Sequence, residues 1–87
     1  MLHVAKVSAF DPEAAGAAYL YAVMADHIEA RIENGELRPG ARLPGERDLA
    51  AEYRVAIGTA RRAVRELKHR GLVVTLPAKG TFVRHKK

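Results

Sequence analysis

The apolar residues between Tyr19 and Asn34 recur at three- and four-residue intervals, the spacing expected for one face of an amphipathic helix. They are Leu20, Val23, Met24, Ile28 and Ile32. Upstream, Asp11-Pro12-Glu13 supplies a capping residue, a first-turn proline and an acid suited to the positive helix end, so a helix can begin there. Asn34-Gly35 readily adopts the left-handed conformation that ends helices. The pattern predicts a first helix with one buried stripe.

Two further helices follow, separated by a short turn. Leu43-Pro44-Gly45 precedes a short helical stretch from Glu46 to about Tyr53. A second apolar stripe then starts in a different phase, so the chain must turn at Arg54-Val55-Ala56. The predicted inner faces are Leu49, Ala50 and Tyr53 in the second helix, and Ala60, Ala63, Val64 and Leu67 in the third, which spans about residues 57–70.

A short β-hairpin completes the pattern. Gly71 ends the third helix, and the β-branched run Leu72 to Leu76 is separated from Thr81-Phe82-Val83-Arg84 by the tight turn Pro77-Ala78-Lys79-Gly80. The predicted fold is mainly α with a small β-hairpin, a winged helix-turn-helix of three helices plus a two-stranded wing at 77–81. We expect an N-terminal extension (1–18), one domain (19–84) and a basic tail (85–87).

Length and composition narrow the classes of function. A chain of 87 residues without cysteine fits one small domain with no disulfide framework and no thiolate zinc site. No apolar run is long enough for a membrane span, and the N-terminus lacks a secretory signal, so we expect a cytoplasmic protein without a membrane partner. The four histidines show no metal-ligand spacing, and no nucleophile lies in a catalytic motif. We predict no enzyme, no catalytic residue, no metal and no cofactor.

The charge is unevenly distributed along the chain. Residues 1–40 hold three Lys or Arg against six acids, a net of −3, whereas residues 41–87 hold twelve against four, a net of +8. A basic segment joined to a mildly acidic one is typical of a polyanion-binding face with a supporting helix. Charge that serves solubility alone is the alternative interpretation.

The third predicted helix separates its charge from its apolar stripe. At about 100° per residue, one side carries the residues that we call the cationic face, opposite the buried stripe. The cationic face comprises Gly58, Arg61, Arg62, Arg65, Lys68 and His69. Glu66 is the only acid between Ala56 and Lys87, so salt bridges within this helix cannot neutralise the face.

This combination favours binding to double-stranded DNA. A helix fits the major groove, and its N-terminal end must be slim and rich in donors. Ile57, Gly58, Thr59, Arg61 and Arg62 meet this need, but which arginine reads a base and which holds phosphate stays open, because both tasks use the same guanidinium. The basic hairpin tip adds a second candidate contact.

At that tip, Lys79-Gly80 places a cation beside a residue that permits close approach to a minor-groove edge. A turn requirement alone is the alternative explanation of Gly80. Lys86 and Lys87 suit a diffuse electrostatic tail that adds salt-dependent affinity.

Several linked motifs resemble the GntR family of bacterial transcription regulators. They are Leu43-Pro44-Gly45-Glu46-Arg47-Asp48-Leu49-Ala50, the arginine-rich Thr59 to Leu67, Gly71-Leu72-Val73 and Gly80-Thr81-Phe82-Val83. The resemblance implies a winged helix, a homodimer on a DNA operator, and repression more often than activation. By position it implies DNA contacts for Arg47, Thr59, Arg61 and Gly80. For Arg47, an ion pair with Glu46 or Glu52 is the structural alternative.

The sequence also departs from the family pattern. Gly45 replaces a usual serine, Arg54 replaces a usual glycine, and Ala56-Ile57-Gly58 replaces a hydroxyl, a basic and a hydroxyl residue. Family members typically carry a C-terminal effector domain, whereas this chain ends at Lys87, so we expect no small-molecule effector.

Two other functions compete with DNA binding. A winged helix can instead be a protein-interaction module that pairs with a larger regulator, in which case neutralising the cationic face should leave activity unchanged. Binding to double-stranded RNA is less favoured, because the recognition helix cannot enter the narrow major groove of RNA.

Overall fold

The computed structural model describes Val7, residues 9–12 and residues 19–85. Its elements follow the order helix, helix, helix, strand, strand: α1 (Leu20–Glu33), α2 (Glu46–Tyr53), α3 (Ile57–His69), β1 (Val73–Leu76) and β2 (Gly80–Val83). This is the predicted winged helix-turn-helix, and α2 has the predicted bounds. The predictions for Lys86, Lys87 and most of the N-terminal extension lie outside the described residues.

Helix α1 ends as predicted, whereas the helix start suggested at Asp11-Pro12-Glu13 runs into residues that are not described. Asp11 and Pro12 lie outside any helix, residues 13–18 are not described, and α1 begins at Leu20. At the other end, Asn34 caps the helix and Gly35 has a φ of 87°. The buried residues of α1 are Met24, Ala25 and Ile28, whereas Leu20, Val23 and Ile32 are only half-buried at the flanks of the stripe.

One apolar core joins all five elements. The predicted inner faces of α2 and α3 are all buried, and α1 packs chiefly against α3. The turn between α2 and α3 has its sharpest bend at Arg54, which adopts the left-handed conformation with φ 57° and ψ 44°. A non-glycine residue there carries a backbone cost of about 1–2 kcal/mol. Its guanidinium donates a 2.8 Å hydrogen bond to the carbonyl oxygen of Phe10, which offsets part of this cost.

The wing consists of a two-stranded antiparallel sheet with a third segment paired at its edge. Val73 pairs with Val83 and Leu76 with Gly80, so the tip is the turn at residues 77–79. Strand β1 begins one residue later than predicted and ends at Leu76 as predicted, whereas β2 begins and ends one residue earlier, at Gly80 and Val83. Arg42 forms a β-bridge with Phe82, an edge pairing that the hydrophobic pattern did not reveal.

Candidate nucleic-acid interface

The predicted cationic face is exposed along the whole of α3. All six of its residues are exposed, and the four apolar residues of the opposite stripe are buried. The segregation follows from the helical period, because residues three or four apart share a face. This confirms the predicted two-sided helix and places its cations at the surface.

The N-terminal end of α3 is slim and lacks a capping side chain. Ala56 caps the helix without a side-chain hydrogen bond, and the first turn contains no acid. A Cβ built on Gly58 would meet nothing within 4 Å, so nothing from the core crowds this turn. Free N–H groups and the positive end of the helix dipole favour an anion at such a position. Ile57 and Thr59 are half-buried beside it.

Arg61, the first arginine of the cationic face, forms an exposed ion pair with α2. Arg61 Nε lies 3.0 Å from Glu46 Oε1, and the two side chains are 54% and 44% exposed. An exposed pair of this kind contributes about 0–1 kcal/mol, so a phosphate or a base can displace the carboxylate at little cost. Glu46 stands in the first turn of α2, which brings the start of α2 next to the middle of α3.

Arg62 lies over an aromatic ring of α1. Its Cζ is 3.9 Å from the centroid of the Tyr21 ring, a cation–π contact worth about 0.5–1 kcal/mol at an exposed site. Tyr21 was not among the candidate residues predicted from the sequence. The available signal was its place beside Leu20 at the edge of the buried stripe of α1, where an aromatic side chain can reach the neighbouring helix.

Four further cations stand without a side-chain partner. In the described part of the chain, the exposed side chains of Arg47, Arg65, Lys68 and Lys79 make no hydrogen bond or ion pair. The structural alternative for Arg47 is therefore wrong, because Glu46 pairs with Arg61 and Glu52 with Arg31 instead. Exposed cations without a partner are available to a polyanion.

The wing tip places Lys79 and Gly80 beside Arg42. Gly80 has a φ of 121°, and a Cβ there would lie 2.6 Å from Arg42 Nε. The positive φ favours glycine, which supports the turn explanation, whereas the flexible Arg42 side chain can move aside for a Cβ. Arg42 itself was missed, because its contact with Lys79 spans 37 residues and leaves no local pattern.

Two other arginines belong to the scaffold. Arg70 contacts Asp26, Glu29 and Glu66 at 2.7–2.9 Å, and these hydrogen bonds, led by that to Glu66, raise its pKa against the opposing effect of burial. Arg31 contacts Glu36 and Glu52.

Arg31 also donates a 3.0 Å hydrogen bond to the hydroxyl of Tyr53. Burial of Arg31 acts to lower its pKa, but Tyr53 and the two acids outweigh that effect, and the pKa is raised. His27 is half-buried, and its Nδ1 lies 2.7 Å from the same hydroxyl.

The described residues contain no group of three His, Cys, Asp or Glu side chains arranged to hold a metal ion. Among these same residues, no helix combines the length and the apolar character needed to cross a membrane. An open cavity of about 500 Å³ lies between the Phe10 segment, α1 and α2, and its lining includes Arg31, Glu36, Glu52 and Tyr53. Its charged groups already contact one another.

The fold and its exposed cationic helix define a winged-helix nucleic-acid-binding domain. The sequence model of the gntR family of bacterial regulatory proteins matches residues 20–83. The chain therefore belongs to the GntR family, as the sequence motifs predicted, and its winged helix is the domain with which such regulators bind DNA. This class also agrees with the prediction of a regulator instead of an enzyme.

Individual relatives show the same likeness. The HTH-type transcriptional repressor NagR of Bacillus subtilis is 36% identical over 64 residues, which cover 74% of this chain and 26% of NagR. The structure of YtrA from Sulfolobus acidocaldarius, a GntR-family transcription factor, superposes with a TM-score of 0.79 at 29% identity, over 92% of this chain and 84% of YtrA. AraR(DBD) in complex with operator ORX1 superposes with a TM-score of 0.68 at 32% identity, over 72% of this chain and 76% of that one.

The matched region spans only 26–30% of the length of the first curated relatives.

Proposed function

We propose that this chain binds double-stranded DNA at a specific operator and represses transcription. The observation that carries the proposal is the cationic face of α3, exposed along the helix and opposite a fully buried stripe. Likeness to AraR(DBD), whose structure was solved with operator DNA, and to NagR, which is named a repressor, supports both parts. In this proposal the DNA-binding domain comprises residues 19–84, and the protein acts in the bacterial cytoplasm.

In the proposed complex, α3 enters the major groove with its N-terminal end first. Ile57, Gly58 and Thr59 approach the base edges, where Ile57 suits a thymine methyl and Thr59 offers a hydroxyl. Arg61 leaves Glu46 to reach guanine or phosphate. If Arg61 contacts guanine, it supplies the direct readout that the familiar basic residue, absent at position 57, does not give.

Phosphate contacts surround this centre. Arg62 and Arg65 lie along the cationic face, and Arg47 projects from the first turn of α2; all three are exposed. Lys79 and Gly80 of the wing rest on the flanking minor groove. Contacts to phosphate position the protein, and contacts to base edges confer specificity.

We further propose a homodimer that places two α3 helices in successive major grooves of an inverted repeat. This part rests on the family resemblance and on the two-fold symmetry of operators read by helix-turn-helix dimers. A DNase footprint with two-fold symmetry is expected. A footprint that covers one asymmetric half-site contradicts the dimer without contradicting DNA binding.

The experiment that tests the function is selection from a randomised duplex pool, with sequencing of the bound fraction at two salt concentrations. Enrichment of an inverted repeat is the expected result. Weak binding that falls steeply with salt and enriches no sequence means that Ala56-Ile57-Gly58 supports no readout, and it favours the protein-interaction module.

A further inference from the structure

The side chain of Arg42 joins the strand edge to the tip of the wing. Its backbone is fixed by pairing of residues 41–43 with β2: Val83 N–H donates to Ala41 O and Leu43 N–H to Thr81 O, both at 2.8 Å. The Arg42–Phe82 bridge lies between these two bonds. The starting point of the side chain is therefore rigid, although the side chain is exposed.

From this position Arg42 reaches across Gly80 to the peptide that follows Lys79. Its Nε donates a 3.1 Å hydrogen bond to the carbonyl oxygen of Lys79. The guanidinium passes so close to Gly80 that a Cβ there would lie 2.6 Å from Nε and 3.3 Å from Cζ. The absence of a side chain at Gly80 is what lets Arg42 reach the tip.

Few other contacts hold the tip. Lys79 N–H donates to Leu76 O at 2.9 Å, and Ala78 has a left-handed φ of 63°. Residues 77–79 are exposed, and among the described residues Arg42 is the only one whose side chain hydrogen-bonds to them. Among the described side chains, Arg42 alone therefore adds to the backbone pairing that restrains the peptide between Lys79 and Gly80.

We propose that Arg42 is a positioning residue for the DNA contact of the wing: by holding the Lys79 carbonyl, it directs the Lys79 ammonium toward the flanking phosphates. This inference rests on the proposed function and adds one residue to it. Arg42 acts through Lys79, so removing either residue should cost the same single contact.

A double-mutant cycle on salt dependence tests this relation. Arg42→Ala, Lys79→Ala and the double variant are titrated with the selected duplex, or with a mixed-sequence duplex if none is enriched, at several salt concentrations. Each lost phosphate contact lowers the slope of log K against log salt by about 0.9. We expect the same decrease in all three variants. A decrease twice as large in the double variant means that Arg42 contacts phosphate independently, and it overturns the proposal.

Two further variants separate positioning from charge and from folding. Arg42→Lys keeps the charge but loses the Nε donor geometry, so we expect the same loss as with Arg42→Ala; a wild-type slope in Arg42→Lys overturns the proposal. Arg38→Ala removes an exposed arginine outside the wing and controls for net charge. If Arg42→Ala lowers the melting temperature but keeps the wild-type slope, its role is only structural and the proposal is wrong.

The free protein provides a readout that does not depend on DNA. We expect Arg42→Ala to shift the backbone amide resonances of Lys79 and Gly80 and to speed their hydrogen exchange, while α1 resonances stay in place. Unchanged wing resonances overturn the proposal even if the wild type binds DNA well. Failure of the wild type to bind any duplex instead contradicts the proposed function itself.

Discussion

Arg65 and Arg70 both belong to the last turns of α3 and its cap, yet their surroundings differ in the number of acids that face them. Arg70 is held by three carboxylates, two from α1 and one from α3, and its side chain is only 23% exposed. Arg65 is exposed and makes no hydrogen bond or ion pair with a described residue. One helix thus carries a structural arginine and a cation available to a ligand.

In the part of the chain that the structure describes, acids of the N-terminal half pair with scaffold arginines and not with the cationic face. Asp26 and Glu29 of α1 neutralise Arg70, and Glu36 neutralises Arg31. Within the described residues, no acid of α1 pairs with the cationic face. The sequence separates charge between its halves so that the scaffold arginines are paired and the outer face of α3 stays positive.

The largest expected effect is on DNA binding, from Arg61→Ala. If Arg61 reads guanine, we expect a loss of about 1–3 kcal/mol in binding free energy, confined to the specific site. The free energy of unfolding should change little, because Arg61 and Glu46 form an exposed pair. Anisotropy titrations against selected and mixed-sequence duplexes measure the difference. An equal loss on both duplexes would identify a phosphate contact instead.

Arg70→Ala should affect stability, not DNA binding. Its removal leaves Asp26, Glu29 and Glu66 together without their shared cation, and we expect the free energy of unfolding to fall by about 1–2 kcal/mol. DNA affinity well below the melting temperature should match that of Arg38→Ala, which removes one exposed charge. Urea denaturation measures the loss. If Arg70→Ala strongly lowered DNA affinity without lowering the free energy of unfolding, Arg70 would belong to the DNA-binding surface and not to the scaffold.

Glu46→Gln should remove the ion pair of Arg61 and leave its guanidinium, like that of Arg65, without an ion pair to a described residue. Without the carboxylate, Arg61 is free before DNA arrives, and we expect tighter binding by about 0.2–1 kcal/mol. Asp48→Asn changes the same charge in the same first turn of α2 without touching Arg61, and it is the matched control. Weaker binding by Glu46→Gln than by Asp48→Asn would mean that Glu46 orients Arg61 for DNA.

The smallest expected effect is from Gly45→Ser at the cap of α2. A Cβ at Gly45 meets nothing within 4 Å, so a serine hydroxyl can accept a hydrogen bond from the first turn. We expect a gain of a few tenths of a kcal/mol in unfolding free energy, read from the urea midpoint. DNA affinity should not change. Destabilisation would show that the loop before α2 does not tolerate a side chain.

The regular elements could be predicted because each buries a periodic stripe. Leu49, Ala50 and Tyr53, like Ala60, Val64 and Leu67, are buried at the positions that helical spacing requires. Gly35 and Gly71 end their helices with positive φ, as their positions after the stripes indicated. Arg54, which stands where the family pattern usually has glycine, adopts the left-handed conformation.

What the sequence could not predict are the contacts between distant residues. Tyr21 under Arg62, Glu46 beside Arg61, and Arg42 at the wing tip depend on how separate elements pack, which no local period records. The helix start that Asp11-Pro12-Glu13 suggests stays a prediction, because residues 13–18 lie outside the described residues. In the structure, Phe10 packs against His27 and Tyr53, and Arg54 binds its carbonyl.

The cationic face of α3 is the surface that we propose binds duplex DNA. The most direct test is an amide chemical-shift map of the labelled chain during titration with a short duplex. We predict that the largest shifts fall on residues 57–69, on Arg47 and on the wing tip, with small shifts around Arg70 and the Tyr53 cluster. Shifts concentrated in α1, with α3 unchanged, would contradict the claim.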